Sequence, residues 1–297
     1  MNRKFLMAVG VFLVFVFLLQ WNVPARFVWQ PTFAHDDPQP LGCQVFDSLM
    51  GRSLKAGYRV TDKTLPRLAR ERWRRPHAIL IQTTCMKTTP TDLKALCRLL
   101  EAGHHVLIAT GEMSDDTLSS FFGVTIRGAT AVIPWQVRQS FQNIELLYDT
   151  LRWRRQPPYP ERSYRVFSAF VDGGVWLDNH QDCDTLLQAW QATYTDTVST
   201  GYWKAALVAK RWRRGTIYFC STPLLLTNYG ALDPQIHPLL FRILTQTRGL
   251  PVVRTEAYTP HTERDSRPSV GPSTCRLRAC CSSACSSPAA DNGSFRW

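Results

Sequence analysis

Six side chains in two stretches have the types and positions to meet a ligand. Thr110 and Glu112 close an apolar run, His105 to Thr110, and Ser221, Thr222, Asn228 and Tyr229 follow another, Thr216 to Cys220. Hydroxyl, carboxylate, amide and phenol groups just past the end of a β-rich run are placed to donate, accept or orient protons. In an α/β sheet, ligands gather in the crevice beyond the carboxyl ends of strands. The plainer alternative is a strand-to-helix connection in which Ser and Thr satisfy backbone groups. His35, Asp36 and Asp37 invite a metal or acid–base reading. Adjacent carboxylates cannot both point at one centre from an extended chain, however, so a turn or capping role fits them better.

Nine cysteines give no C-x-x-C pair for zinc or redox work. Cys43, Cys85, Cys97, Cys183 and Cys220 are scattered, and the remaining four crowd the tail. No cofactor and no metal is therefore expected. The formal charge of +12 is carried mostly by Arg, in three similar clusters: Arg72, Arg74 and Arg75 around Trp73; Arg152, Arg154 and Arg155 around Trp153; Arg211, Arg213 and Arg214 around Trp212. Arg beside Trp suits stacking on bases or contact with an anionic lipid surface. A solvated Arg face is the plainer account.

These candidates need elements to hold them. With 297 residues and 44% hydrophobic content, the chain can bury a sizeable core. Arg3 and Lys4 precede an apolar run from Phe5 to Leu19, with Trp21 and Trp29 beyond it. The pattern predicts a transmembrane helix over 5–21, residues 1–4 in the cytoplasm, and an extracytoplasmic α/β domain over 22–262. Val23-Pro24-Ala25 keeps a cleaved signal peptide open. Cys43 to Leu54 is expected to be helical. Ala78 to Gln82 reads as a strand, a helix starts at Pro90 and ends at Gly103, and His105 to Thr110 is the next strand, then a short helix from Asp115 to Phe122. That order implies a Rossmann-like, mostly parallel sheet. A β-rich portion inserted over about 124–202 includes a short helix at Thr185 to Ala192. A hairpin, Ala205 to Lys210 with Thr216 to Cys220, and a helix from Pro234 to Arg248 complete the body.

Ser221 to Gly230, Pro251 to Tyr258 and the entry Trp29-Gln30-Pro31-Thr32-Phe33 together resemble the domain-of-unknown-function family 4350 of bacterial membrane proteins, over the chain to about Thr262. The resemblance implies a class I glutamine amidotransferase-like α/β fold and a second, C-terminal membrane helix. It also implies an inner-membrane location and genes beside a MoxR-type ATPase, hence an accessory part of an envelope assembly. Amidotransferases of that fold present a cysteine on a Gly-x-Cys-x-Gly elbow. Here the strand ends in Gly111-Glu112-Met113 and Cys85 has no flanking glycine, so the resemblance does not bring that chemistry with it.

Residues 263–297 turn to Arg, Ser, Pro and Cys without periodicity, which reads as a disordered tail. A shifted reading frame converts much of its Ser- and Cys-rich text to apolar residues, so Arg264 to Trp297 also reads as an out-of-frame replacement for a second span. The functional expectation is a non-enzymatic, membrane-tethered domain that binds an envelope protein. One alternative is an enzyme or small-ligand binder using the crevice near Thr110 and Ser221. Another is a binder of anionic lipid or polymer through the Arg-Trp clusters, with nucleic acid disfavoured by the expected topology.

Overall fold

The computed structural model describes residues 29–114, 116–128, 148–154, 160, 162–171, 173–179, 183–195 and 198–259, with 5, 7, 9, 10 and 12–14 of the leading run. Contacts divide the chain into one compact unit, Met1–His261, and Thr262–Trp297; the expected tail lies outside the described residues.

The element order is α1 (Gln44–Ser53), β1 (Tyr58–Thr61), α2 (Leu65–Leu68), β2 (Ala78–Met86), α3 (Pro90–Glu101), β3 (His105–Met113), α4 (Asp116–Phe122), β4 (Val124–Arg127), β5 (Tyr148–Trp153), β6 (Arg162–Phe167), β7 (Gly174–Leu177), β8 (Asp184–Thr195), β9 (Val198–Trp212), β10 (Gly215–Cys220), α5 (Asn228–Leu232), α6 (His237–Thr245) and β11 (Val252–Thr255). A 3-10 turn at Pro223–Leu226 links β10 to α5. The strands form one sheet in the order β1-β11-β2-β3-β10-β9-β8-β5-β6, with β4 paired to β7 and β7 to β9.

Alternation explains how the sheet carries two cores. Leu80, Ala109, Tyr218 and Val252 face one side with α1 and α6, through Phe46, Met50, Leu240 and Ile243. Their neighbours Ile79, Ile108, Ile217 and Val253 face the other with α2, α3 and α4, through Leu68, Leu96 and Phe122. The period of two assigns successive residues to opposite faces. Helix α3 shows why its local sequence folds: Thr89 accepts from the Asp92 amide and Asp92 accepts from the Thr89 amide, a reciprocal cap, with Pro90 opening the first turn.

The expectation of a Rossmann-like, mostly parallel sheet behind a transmembrane helix is corrected on two counts. Among the described residues, parallel pairing is confined to β1, β11, β2, β3 and β10. Pairings β10–β9, β9–β8, β8–β5, β5–β6, β4–β7 and β7–β9 are antiparallel. Parallel pairing needs a crossover, usually a helix, whereas hairpins give antiparallel pairs. From Val124 to Trp212 the described elements are strands with one 3-10 turn at Ser168–Phe170. The β-rich portion expected over about 124–202 is therefore built of strands that extend the same sheet, and the expected helix at Thr185 to Ala192 is strand β8. The second correction concerns the leading run. Its described residues are helical, with Phe5, Met7, Phe12, Leu13 and Val14 exposed, but no described helix is long and apolar enough to cross a membrane.

Candidate functional site

The crevice beyond the carboxyl ends of the parallel strands is filled by the chain itself. Residues 29–43 lie across it as a strap, with Phe33 and Leu41 fully buried. Gln82, at this end of β2, donates from Nε2 to the Pro223 and Leu226 carbonyls at 3.1 and 2.9 Å. Thr259 donates to the Gln82 carbonyl at 3.2 Å.

Most of the six candidate residues serve this packing. The Thr110 hydroxyl donates to the Glu112 carbonyl at 2.8 Å, closing its own strand end. Glu112 points outward and is exposed. Ser221 is buried and bonded to the Ala206 carbonyl through its amide at 2.9 Å and its hydroxyl at 3.4 Å. The Thr222 hydroxyl lies 3.3 Å from the Cys220 thiol. Asn228 is saturated: its Oδ1 accepts from the Val45 and Phe46 amides at 2.7 and 3.2 Å, and its Nδ2 donates to the Asp37 and Gln39 carbonyls at 2.9 and 2.7 Å. It thereby caps α1, whose own preceding residue, Cys43, makes no side-chain cap. The chain thus uses a distant amide where its local sequence offers a thiol.

Tyr229 is different. Its ring packs edge-on against Phe170, with centroids 4.8 Å apart, and tilts toward Trp29 at 6.2 Å. Burial and the neighbouring Asp233 carboxylate push its hydroxyl up to about 12. It lines a pocket of about 580 Å³ with Pro38 and Pro40 of the strap, Tyr148 of β5, Arg165 of β6, Leu232 of α5 and Asp233. The Arg165 guanidinium stands 4.5 Å from the centre of the Tyr148 ring. Leu232 is 67% exposed and Tyr148 40%. Arg165, Tyr148 and Asp233 carry no periodic or motif signal; strand pairing across β5 and β6 brings the first two together at the Tyr148 end.

A second constellation was missed by motif reasoning. Arg254, fully buried in β11, donates to both Asp47 oxygens at 2.8 and 2.5 Å, to the Phe33 carbonyl at 2.9 Å and to Glu256 at 2.6 Å. Tyr58 donates to Asp47 at 2.5 Å. Glu256 also accepts the His35 amide at 2.7 Å, and the His35 Nδ1 lies 2.8 Å from its other oxygen. Burial raises the Asp47 carboxyl against the lowering effect of Arg254. A charge directly after the apolar run Pro251-Val252-Val253 was the available signal, since a buried Arg demands paired carboxylates. No hydroxyl or thiol of a described residue hydrogen-bonds to the His35 ring. Burial drives the Cys43 and Cys220 thiols upward, away from the thiolate. His35, Asp37 and Glu256 thus fasten the strap: Thr32 donates to the Asp37 carboxylate, as does the Gln39 amide at 3.0 Å. Among the described residues, no three His, Cys, Asp or Glu side chains gather as metal ligands.

The Arg-Trp clusters separate. Trp153 is fully buried with Arg242 5.1 Å from its ring, Arg152 donates to Gln188 at 2.9 Å and lies 4.1 Å from the Trp203 ring, and Arg154 is exposed; Arg155 lies outside the described residues. Trp73 and Trp212 pack against the opposite core, leaving Arg72, Arg74, Arg75, Arg211, Arg213 and Arg214 exposed at the amino ends of the strands.

No curated protein matches the chain. Among solved structures, a β-galactosidase from Bacillus circulans sp. alkalophilus aligns at 11% identity and TM-score 0.34, over 59% of this chain and 23% of that one. A β-galactosidase from Rahnella sp. R3 gives the same values. The cytoplasmic protein STM1381 from Salmonella typhimurium LT2 aligns at 11% identity and TM-score 0.34, over 64% and 77%. The chain spans under a quarter of the β-galactosidases' length, and likenesses this distant carry no functional argument. The family comparison is decisive: residues 35–244 match the model described as "Domain of unknown function (DUF4350)", and the chain belongs to that family.

Proposed function

We propose that this protein recognises a partner rather than transforming a substrate. The observation that carries the reading is the contrast at the carboxyl edge: Asn228 makes four hydrogen bonds that hold the strap and α1, whereas the adjacent pocket presents Leu232, Tyr148 and Arg165 to solvent. Exposed apolar and aromatic side chains beside one guanidinium suit a segment of a partner protein that pairs an apolar side chain with a carboxylate. The resemblance to family members encoded beside a MoxR-type ATPase supports an accessory role in a bacterial envelope assembly, with that machinery as the place to seek the partner.

The test is crosslinked co-purification of the wild type alongside two surface variants, Leu232→Arg and Arg165→Glu, with folding checked by circular dichroism. The expected result is one protein recovered with the wild type and depleted at least ~10-fold by either variant, since central anchors contribute about 1.4 kcal/mol or more. Equal recovery from all three proteins overturns the reading.

A further inference from the structure

The opposite edge of the sheet carries a surface that the pocket does not use. Strands β11, β2, β3 and β10 begin in one row, with Val252 beside Ala78, Ala78 beside His105, and His105 beside Thr216. Two of the Arg clusters enter this row from loops far apart in sequence, one before β2 and one at the β9–β10 hairpin. They meet at Gly103, where an added Cβ would lie 3.7 Å from the Pro76 ring and 4.0 Å from the Arg214 Cβ. Arg72, Arg74, Arg75, Arg211, Arg213 and Arg214 are all exposed there. Arg248, also exposed, is added from the turn before β11, close enough to act electrostatically on His105 and Tyr218.

Carboxylates do little to neutralise this edge. Glu71 is already held by Arg59 and Lys63 at 2.8 and 2.7 Å. Glu101, exposed at the end of α3, borders the patch. None of the six cluster arginines pairs with a carboxylate of a described residue. Four aligned strand starts make a front about 14 Å wide, at ~4.8 Å per strand. The indoles that would favour bases are half-buried against the core. Trp73 donates its N–H to the Leu68 carbonyl at 2.9 Å and packs on His77 and His104, and Trp212 packs on Phe121 and Phe122. What remains outward is guanidinium, which pairs with phosphate without needing a base to stack.

We infer that this edge docks on the phosphate headgroups of an anionic lipid surface. Lipid is favoured over nucleic acid by two observations: both indoles of the patch are engaged in ring contacts within the fold, and Phe5, Phe12 and Leu13 of the same chain are exposed. Apolar insertion joined to a basic patch is the pair of signals that stable surface attachment requires.

The test is sedimentation of the full chain with vesicles of phosphatidylcholine alone, with vesicles containing phosphatidylglycerol, and, separately, a gel-shift titration with duplex DNA. The triple variant Arg74→Gln, Arg211→Gln, Arg214→Gln is compared with the same three positions changed to Lys. A matched control changes Arg127, Arg154 and Arg162 to Gln, all exposed but away from this edge. The expected result is preference for phosphatidylglycerol vesicles that falls with salt. Affinity drops roughly fivefold per guanidinium lost, on the order of a hundredfold for the Gln triple, and is kept by the Lys triple and the matched control. Equal binding to neutral vesicles, equal loss in the matched control, or tighter binding to DNA than to anionic vesicles would overturn the inference.

Discussion

At the scale of single residues, identity alone did not separate ligand-facing groups from structural ones. Asn228 and Tyr229 are adjacent, equally polar in type and equally placed after β10. Both border the pocket, but the amide is 1% exposed with every hydrogen-bonding position filled, while the phenol is half-buried. Difference in burial, set by helix α5 turning between them, decides their roles. Asn228→Ala is therefore expected to act on stability. It leaves the Val45 and Phe46 amides and the Asp37 and Gln39 carbonyls without their partner. Losing the cap costs about 1 kcal/mol and each of the two orphaned carbonyls about 1–3 kcal/mol, so a loss of at least about 3 kcal/mol is expected. Urea unfolding checks it; a variant of unchanged midpoint that nonetheless lost its partner would return Asn228 to the binding surface.

At the scale of elements, the sequence was readable wherever periodicity and punctuation agreed. Strands β2, β3 and β10, helix α3 with its Thr89–Asp92 cap, and the hairpin at Arg213 all follow from local signals. Strand β8 did not, because Thr185, Leu186, Leu187, Ala189 and Trp190 satisfy a short helical face as well as a strand. Its pairing along β9, from Asp184–Ala209 to Thr195–Val198, settles the matter through non-local contacts. Strands β1 and β11 are four residues each and were hidden for a similar reason: their ladder partners lie almost two hundred positions away in the chain. The loops before β2 and β3 hold a further consequence. His104 is 2% exposed, accepts the His77 amide on Nδ1 at 3.0 Å, and burial, with His77 beside it, lowers its pKa from 6.5 to about 4. Above pH 6.5 the ring is neutral in both folded and unfolded chains, and its full contribution is present. Between pH 6.5 and 4 the unfolded ring takes up a proton that the folded one refuses, so stability is lost as pH falls. The loss is about 1.4 kcal/mol per pH unit, on the order of 3 kcal/mol in all; His77, also lowered by burial, acts in the same direction. His104→Asn keeps an acceptor for the His77 amide but cannot titrate. Unfolding free energies near pH 7 and near pH 5 should therefore differ less in the variant than in the wild type, the remaining difference including that of His77 and His105. Parallel pH slopes would contradict the assignment.

At the scale of the whole molecule, the two proposals fall at opposite ends of the sheet. Its carboxyl end is closed by the strap and fastened through Arg254, with the pocket opening beside Tyr229. Its amino end is guanidinium-rich and faces away. The membership in DUF4350 leaves both ends free of an assigned reaction, and the physical separation makes them testable as independent devices. The six residues of β10 place about 20 Å between them, at ~3.3 Å per residue. That exceeds both a Debye length of about 10 Å at 0.1 M salt and the ~7–10 Å beyond which substitutions usually add. Leu232→Arg should abolish partner recovery and leave vesicle binding unchanged within about 0.5 kcal/mol, roughly twofold. The Gln triple at Arg74, Arg211 and Arg214 should do the reverse, and the combined protein should show both losses at their single-site sizes. Measured together by co-purification and vesicle sedimentation, a larger or smaller combined loss would mean that the sheet transmits a change from one edge to the other. In that event the strap, tied through Glu256 to β11 and held by Asn228, is where two discrete arrangements must be sought, because it covers the carboxyl ends of the parallel strands and supplies Pro38 and Pro40 to the pocket wall.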